Sequence, residues 1–383
     1  MPVTREELGK RIAAARERAG LTQAELAREV ELTQSAVSRI ESGERSVDSL
    51  ELAAIAERLG VSVLDLLDDR PVPEQLVAFA GRIQTARSPG AVDVARQRVR
   101  DLVHFHGLLS DLGVPPEQGP PLPPILPRSN SLAVEQGADL ARQAREALDL
   151  GDQPLPDLVE VVENLLGVDV AIERLPEGVE GLSIRFEDFA LALVRAQPVA
   201  GRERFTLAHE VAHLLAGDAQ ALYLDEDLFG HGTEEMRANA FAAHFLMPPD
   251  GLRKRIRDRA VDGRVVCELQ YAFGVSLDAL LWHLRNLDLI TQPQHEELKA
   301  AGPKALALRH GYLRDWEASY RARLQSRPPG RLLRRAMDAY RRGLIGVERL
   351  ASLLGIEDSE TLQRDLEEAG IAPEGWPKDT AAA

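Results

Sequence analysis

The spacing of apolar residues changes along the chain and predicts different elements in turn. Over residues 5–67 it has the period of short helices. Thr22 and Glu25 form a capping box ahead of QAELAREV, ELT makes a tight turn, Thr33 can cap QSAVSRIE, and Ser42-Gly43 is a natural stop. Residues 74–87 and 91–112 predict two more helices, an arm or a dimer contact. GVPPEQGPPLPPILPRSN, residues 113–130, breaks the pattern. Its prolines lack backbone donors and favour extended geometry, so it reads as a semi-rigid spacer.

Helical spacing returns in SLAVEQGADLARQAREALDLG and LPDLVEVVENLLG, whereas VDVAIERL, GLSIRF and FALALVRA lean towards β-structure. The last two flank Glu187-Asp188, a hairpin turn. From Asp250 onward the pattern is helical again, broken at RPPGR (327–331), and the tail PKDTAAA is expected to be disordered. No long internal repeat is present.

Composition narrows the classes. A chain of 383 residues with 44% hydrophobic content is too long for one compact unit and can build ordinary cores. No run approaches the roughly eighteen apolar residues of a membrane span, and the charged start MPVTREELGKRIAAARERAG lacks a signal core. Cys267 is the only cysteine, so no intrachain disulfide can form and a reducing cytoplasm is expected. The formal charge of −15 argues against non-specific coating of nucleic acid; any DNA contact must come from a local patch.

Two short helices joined by about three residues have helix-turn-helix geometry, in which the second helix enters the major groove. Gln34 and Ser35 lie on its first turn, with Ser38 and Arg39 one turn later. Arg39 can fork onto a guanine and Gln34 can pair with an adenine. Gln23 and Arg45 are placed to meet phosphates. Val37, Ile40, Leu26 and Leu50 are the expected small core. LTQAELA, TQSAVSRIESG and LAAIAERLGVSVLDLL resemble the Xre/Cro-type family of DNA-binding domains across residues 5–67. The resemblance implies a buried Arg16–Glu41 ion pair and pairing on two-fold sites, hence a homodimer on double-stranded operator DNA. A helical protein–protein module is the plainer alternative, and the acidic balance of residues 1–70 leans that way. The number of positions matching in register outweighs it.

TLAHEVAHLLAG, residues 206–217, raises a second chemistry. Residues four apart share a helix face, so His209 and His213 can offer their imidazoles to one ion. Glu210 lies about 100° round from His209 and is suited to a metal-held water rather than to the ligand cluster. Two satisfied core histidines would be the plainer account. TEEMRANAFAAHFLMPP, however, carries Glu235 and Asn239 one turn apart, with Ala238, Ala242 and Ala243 small enough for helices to approach. A His209, His213, Glu235 zinc site with water in the fourth place would follow.

RFTLAHEVAHLLAG followed by EEMRANAFAAHFLMP resembles the ImmA/IrrE metallopeptidase family, over roughly residues 135–290. The resemblance implies zinc on His209, His213 and Glu235 with Glu210 as general base. Glu234 is an alternative third ligand without the family's spacing to Ala238-Asn239. The family often ends the strand before this helix with asparagine, whereas this chain has LVRAQP. Zinc so held would acidify a water and polarise a scissile carbonyl, with Glu210 moving the proton. A substrate strand could add to a sheet edge such as FALALVRA. His231 and His244 are candidate oxyanion stabilisers by sequence proximity alone. The loop 217–233 either covers the cleft or is simply an acidic solvated loop.

RVVCELQYAFGVSLDALLWHLRNLDLI also scans as helix, turn and helix. It is either a second DNA reader or, favoured by the stripe Leu280, Leu281, Leu284 and Leu287, structural; Cys267 reads as core. RLLRRAMDAYRRGLIGVERLASLLGI reads as a solvated helix face, with a partner or signal site as the alternative.

The expected fold is mainly α and multidomain. It comprises an all-α helix-turn-helix domain (1–70), a helical arm (71–112), the Pro-rich linker (113–130), an α+β zincin-like core with a small sheet (131–250), a helix-turn-helix-like subdomain (251–300) and C-terminal helices (301–383). The expected function is a cytoplasmic DNA-binding regulator with its own zinc endopeptidase. It would cleave itself or a partner repressor on a stress or mobile-element signal. The alternative is a non-enzymatic repressor or antitoxin whose zincin domain senses a ligand or holds a partner such as a toxin.

Overall fold

The computed structural model describes residues 4–59, 61, 63–67, 81–83, 89–117, 132–186, 188–197, 200–217, 232–321, 326–356 and 358–373. The chain divides into two units, Met1–Pro73 and Glu74–Ala383. The fold is mainly α, with an all-α unit followed by an α+β unit that carries a small sheet.

The first unit contains α1 (Arg5–Arg18), α2 (Gln23–Glu29), α3 (Gln34–Glu41), α4 (Ser49–Leu59) and α5 (Val63–Leu67). Thr4 and Thr22 head capping boxes with Glu7 and Glu25, and Thr33 accepts the Ala36 amide at 3.1 Å. These caps satisfy amide groups that have no partner inside the helix. Ile12, Leu26, Val37, Ile40 and Ile55 are buried at the centre. Leu50, expected in this core, is 82% exposed. The helix begins at Ser49, so Leu50 sits on the outer side of its first turn, while Leu52, Ile55, Ala56 and Leu59 make the inward stripe. At Gly9, α1 lies close against the end of α3: a Cβ there would stand 2.4 Å from the Ile40 carbonyl oxygen.

The second unit opens with β1 (Gly81–Ile83) and α6 (Pro89–Asp111), then α7 (Ala133–Ala147) and α8 (Leu158–Leu165). The strands β2 (Asp169–Glu173), β3 (Val179–Phe186) and β4 (Phe189–Arg195) follow. Next come α9 (Ala200–Ala216), α10 (Thr233–Leu246), α11 (Pro249–Ile256), α12 (Gly263–Phe273), α13 (Leu277–Asn286), α14 (Gln292–Ala301), α15 (Pro303–His310) and α16 (Leu313–Arg321). The last helices are α17 (Gly330–Arg341), α18 (Val347–Leu354) and α19 (Ser359–Glu368).

The sheet order is β1-β3-β4-β2, with β2 parallel to β4 and the other pairs antiparallel. FALALVRA is therefore an interior strand and not an edge. Its alternate residues serve two layers, as expected of a strand buried on both faces. Ala190, Ala192 and Val194 join the core built on α9, while Phe189 packs its ring at a tilt against that of His106 of α6, with centroids 4.5 Å apart. The segment 74–87, expected as helix, contributes β1, which borrows its pairing from β3; residues 74–80 and 84–87 lie outside the described residues. The helix expected over 91–112 is α6, and it packs on β3, β4 and α17 rather than standing away as an arm.

The start of the Pro-rich segment is held by α17: Arg335 donates to the Val114 carbonyl at 2.7 Å and Arg331 to that of Glu117 at 2.6 Å. Residues 118–130 of that spacer lie outside the described residues, as do most of the acidic loop 217–233 and the tail PKDTAAA. The expected solvated face on α17 is corrected in part, because Arg331 and Arg335 are buried. A buried guanidinium needs full pairing; Arg335 also reaches His106 Nδ1 at 2.8 Å and Ser110 Oγ at 3.0 Å.

α12 and α13 meet at 109° across Gly274, whose φ is 63°. Leu280, Leu281 and Leu284 are fully buried, Leu287 packs against the same core, and Cys267 is enclosed. These contacts fit the structural reading of this helix pair. Among the described residues no single helix is long and apolar enough to cross a membrane.

Candidate metal centre and groove-reading helix

α9 carries the two histidines on the side that faces α10. Leu207, Ala208, Val211, Ala212, Leu214 and Leu215 are all buried, so the helix is fixed around its circumference. α10 packs between α7 and α9 on small residues; at Gly137 of α7 a Cβ would stand 2.2 Å from the Arg237 carbonyl oxygen. Towards α9, α10 brings Glu235 to the histidines. His209 Nε2 lies 3.3 Å from one Glu235 oxygen, His213 Nε2 lies 3.4 Å from the other, and the two Nε2 atoms are 3.1 Å apart. The three potential ligand atoms fall within 4.8 Å of one another.

The donor set of two imidazole nitrogens and one carboxylate oxygen fits a zinc ion. Burial alone would raise the Glu235 carboxyl, but hydrogen bonds and charge from His209 and His213 outweigh it and hold it well below the usual carboxylate range. Asn239, one turn beyond Glu235, sets its Oδ1 3.2 Å from His209 Nδ1. That contact leaves Nε2 facing the cluster, as metal-binding histidines are commonly oriented.

Glu210 is fully buried beside the cluster. Ser183 of β3 donates its hydroxyl to Glu210 Oε2 at 2.8 Å. Gly181, two residues earlier on the same face of β3, leaves room for the carboxylate: a Cβ there would stand 2.7 Å from Oε1 and 2.9 Å from Thr206 Cγ2. The sequence reading missed Ser183 and Gly181. Their only sequence signal is the pair of small residues alternating through GLSIRF.

Two other expectations separate from this site. His231 lies outside the described residues. His244 is nine residues beyond Glu235, half a turn away round α10. There its ring meets that of His283 edge to face, with centroids 4.8 Å apart, and it lines a cleft of about 800 Å³ with Arg142, Asp152 and Pro248. That places it on the opposite side of α10 from Glu235. Burial lowers the pKa of His244 and takes His283 down to about 4, so the pair is uncharged at neutral pH.

In the first unit, Gln34, Ser35, Ser38 and Arg39 are all exposed along α3. Among the described residues, Arg39 is paired with a distant Glu44 carboxylate at 3.8 Å, with both side chains more than half exposed. Gln23 and Arg45 are differently disposed. Gln23 donates to Glu41 at 2.8 Å, and Arg45 forms a two-pronged pair with Glu51 at 2.6 and 3.1 Å. Glu41 is also held by Arg16 at 2.7 and 3.1 Å in a nearly buried fork.

Residues 12–66 match the family model described as helix-turn-helix, and residues 167–285 match the model described as IrrE N-terminal-like domain. The chain thus joins a helix-turn-helix domain to an IrrE-like, peptidase-family domain. No match to a curated protein was found. Among solved structures, the chain is similar at 13% identity to the apo form of the competence regulator ComR from Streptococcus vestibularis, covering 96% of this chain and 99% of that one with a TM-score of 0.17. It is similar at 14% identity to PlcR from Bacillus thuringiensis in complex with the peptide PapR7 and DNA, covering 94% and 99% with a TM-score of 0.17. Likenesses at these scores support no argument about arrangement or function.

Proposed function

We propose that the chain is a DNA-binding transcriptional regulator that carries a zinc-dependent endopeptidase and acts on a regulator protein, either a partner repressor or itself. The observation that carries this reading is the convergence of His209, His213 and Glu235, with Glu210 buried next to them and anchored to the sheet. His209, His213 and Glu235 would hold the zinc, which when bound acidifies water and polarises a carbonyl.

Glu210 then serves as the proton carrier, taking a proton from the attacking water and returning one to the leaving amine. Ser183 holds the Glu210 carboxylate through Oε2. Asn239 orients His209. On the DNA side, α3 offers Gln34, Ser35, Ser38 and Arg39 to base edges in the major groove of operator DNA. Gln23 and Arg45 reach phosphates only if they exchange their Glu41 and Glu51 partners. Pairing of two chains on a two-fold operator is part of the proposal, as is action in the cytoplasm under a stress or mobile-element signal.

The test is a comparison of zinc-loaded wild type with Glu210→Gln, each incubated with the protein encoded beside this gene, with and without DNA, and read by mass spectrometry. Fragments from wild type alone, with zinc retained by both, support the peptidase. Fragments from both variants remove Glu210 from the chemistry, and fragments from neither favour a domain that only senses or binds.

A further inference from the structure

The two sides of β3 have different neighbours. Its inner side pairs with β4, and one face presents Gly181 and Ser183 to Glu210. Its outer side pairs antiparallel with β1, with Gly81 opposite Leu182 and Ile83 opposite Val179. From Val179 to Leu182 is three steps along β3 (182 − 179), against two along β1 (83 − 81), so β3 carries an extra residue at Glu180-Gly181. Bulges of this kind re-aim side chains and gather beside active sites. The strand that cradles Glu210 is therefore the one bordered by β1.

A sheet edge offers a row of backbone donors and acceptors to any extended segment, with little dependence on that segment's sequence. A peptide laid along the outer side of β3 would run past the residues that hold Glu210. In this chain that side is taken by three residues, which begin eight positions (81 − 73) after the boundary between the units. So short a strand adds few ladder bonds and is readily exchanged. It keeps its place largely through the high effective concentration that a tether provides.

We infer that the outer edge of β3 is the seat for an extended peptide, and that residues 81–83 of this chain occupy it in cis. A peptide segment of another regulator then engages only by displacing β1. The inference rests on the reading of Glu210 as the general base, since that is what makes this edge the place for a substrate.

The test uses full-length, zinc-loaded Glu210→Gln protein, which is expected to hold a peptide without cutting it. It is compared with the same protein carrying Arg82→Pro or Ile83→Pro. Amide groups alternate in direction along a strand, so one of these prolines removes a donor aimed at β3. The probe is a fluorescein-labelled synthetic peptide of sequence VAFAGRIQTAR, residues 77–87, followed by fluorescence anisotropy. The expected result is binding about tenfold or more tighter in the affected proline variant than in the parent. Equal affinity in all three proteins, or no binding by any, overturns the inference.

Hydrogen exchange on the parent protein gives a measurement that needs no proline. Excess peptide is expected to strip protection from residues 81–83 while 179–186 stay protected, and unchanged protection at 81–83 overturns the inference. Failure of the peptidase reading would show separately, as an absence of zinc-dependent fragments from wild type.

Discussion

Ser183 donates its hydroxyl to Glu210 across 2.8 Å, so the proposed general base is anchored from the sheet as well as carried by its own helix. Both side chains are buried, and an acceptor that loses its donor in such a place is costly. Ser183→Ala is expected to lower stability by about 1–3 kcal/mol. Gly181→Ala is expected to cost a similar ~1–3 kcal/mol by crowding Oε1 and Thr206. Denaturant unfolding of the zinc-free protein checks both. A Ser183→Ala protein as stable as wild type would show that the hydroxyl holds nothing.

The two arginines of the helix-turn-helix unit are expected to behave differently. Arg39 is exposed on α3 with a loose partner, whereas Arg45 is forked onto Glu51. Arg39→Ala should cost about 1–3 kcal/mol of operator binding and relax preference at one base pair. Arg45→Ala should leave base preference unchanged and have the smaller effect on affinity. Selection of operator sequences followed by titration at one fixed salt concentration measures both. The reverse order would place the reading surface elsewhere.

Asp169 gives a pH prediction in the second unit. Burial raises its pKa to about 6, against the opposing Leu332 amide at 2.8 Å and the charge of Arg331. A carboxyl raised in the folded state binds its proton more tightly there than when unfolded. Its contribution to stability is therefore full below its ordinary pKa of 3.8 and is lost as pH rises through about 6. Asp169→Asn keeps an acceptor for Leu332 and does not titrate. Its melting temperature, relative to wild type, is expected to rise between pH 4.5 and pH 7. A constant difference across that range would contradict the raised pKa.

Much of this molecule is legible in its sequence because the signals are local. Thr22 with Glu25, and Thr33 ahead of α3, set helix starts within four residues, and His209, Glu210 and His213 acquire their geometry from helix period alone. Glu235 is legible for a different reason, since small residues on α10 show which face can come close to a neighbour. What escaped depends on partners distant in sequence. Ser183 is 27 residues from Glu210, and nothing in GLSIRF announces that contact. β1 is a strand only because β3 offers it an edge. Arg331 and Arg335 look like surface charge until the carbonyls of 113–117 and the ring of His106 are brought to them. Leu50 misleads because one residue of helix phase separates the solvent side of α4 from the core.

The central claim is that three side chains from two helices hold one zinc ion beside Glu210. Competitive titration against a chromophoric chelator tests it most directly, on wild type, Glu210→Gln, Glu234→Gln, Glu235→Gln and His213→Gln. The account expects about one zinc per chain for the first three proteins and, since loss of even an outer-shell partner costs some 10–100-fold, a loss of about 100-fold or more for Glu235→Gln and His213→Gln. Wild type that takes up no zinc, or Glu235→Gln that binds it as tightly as wild type, would contradict the account.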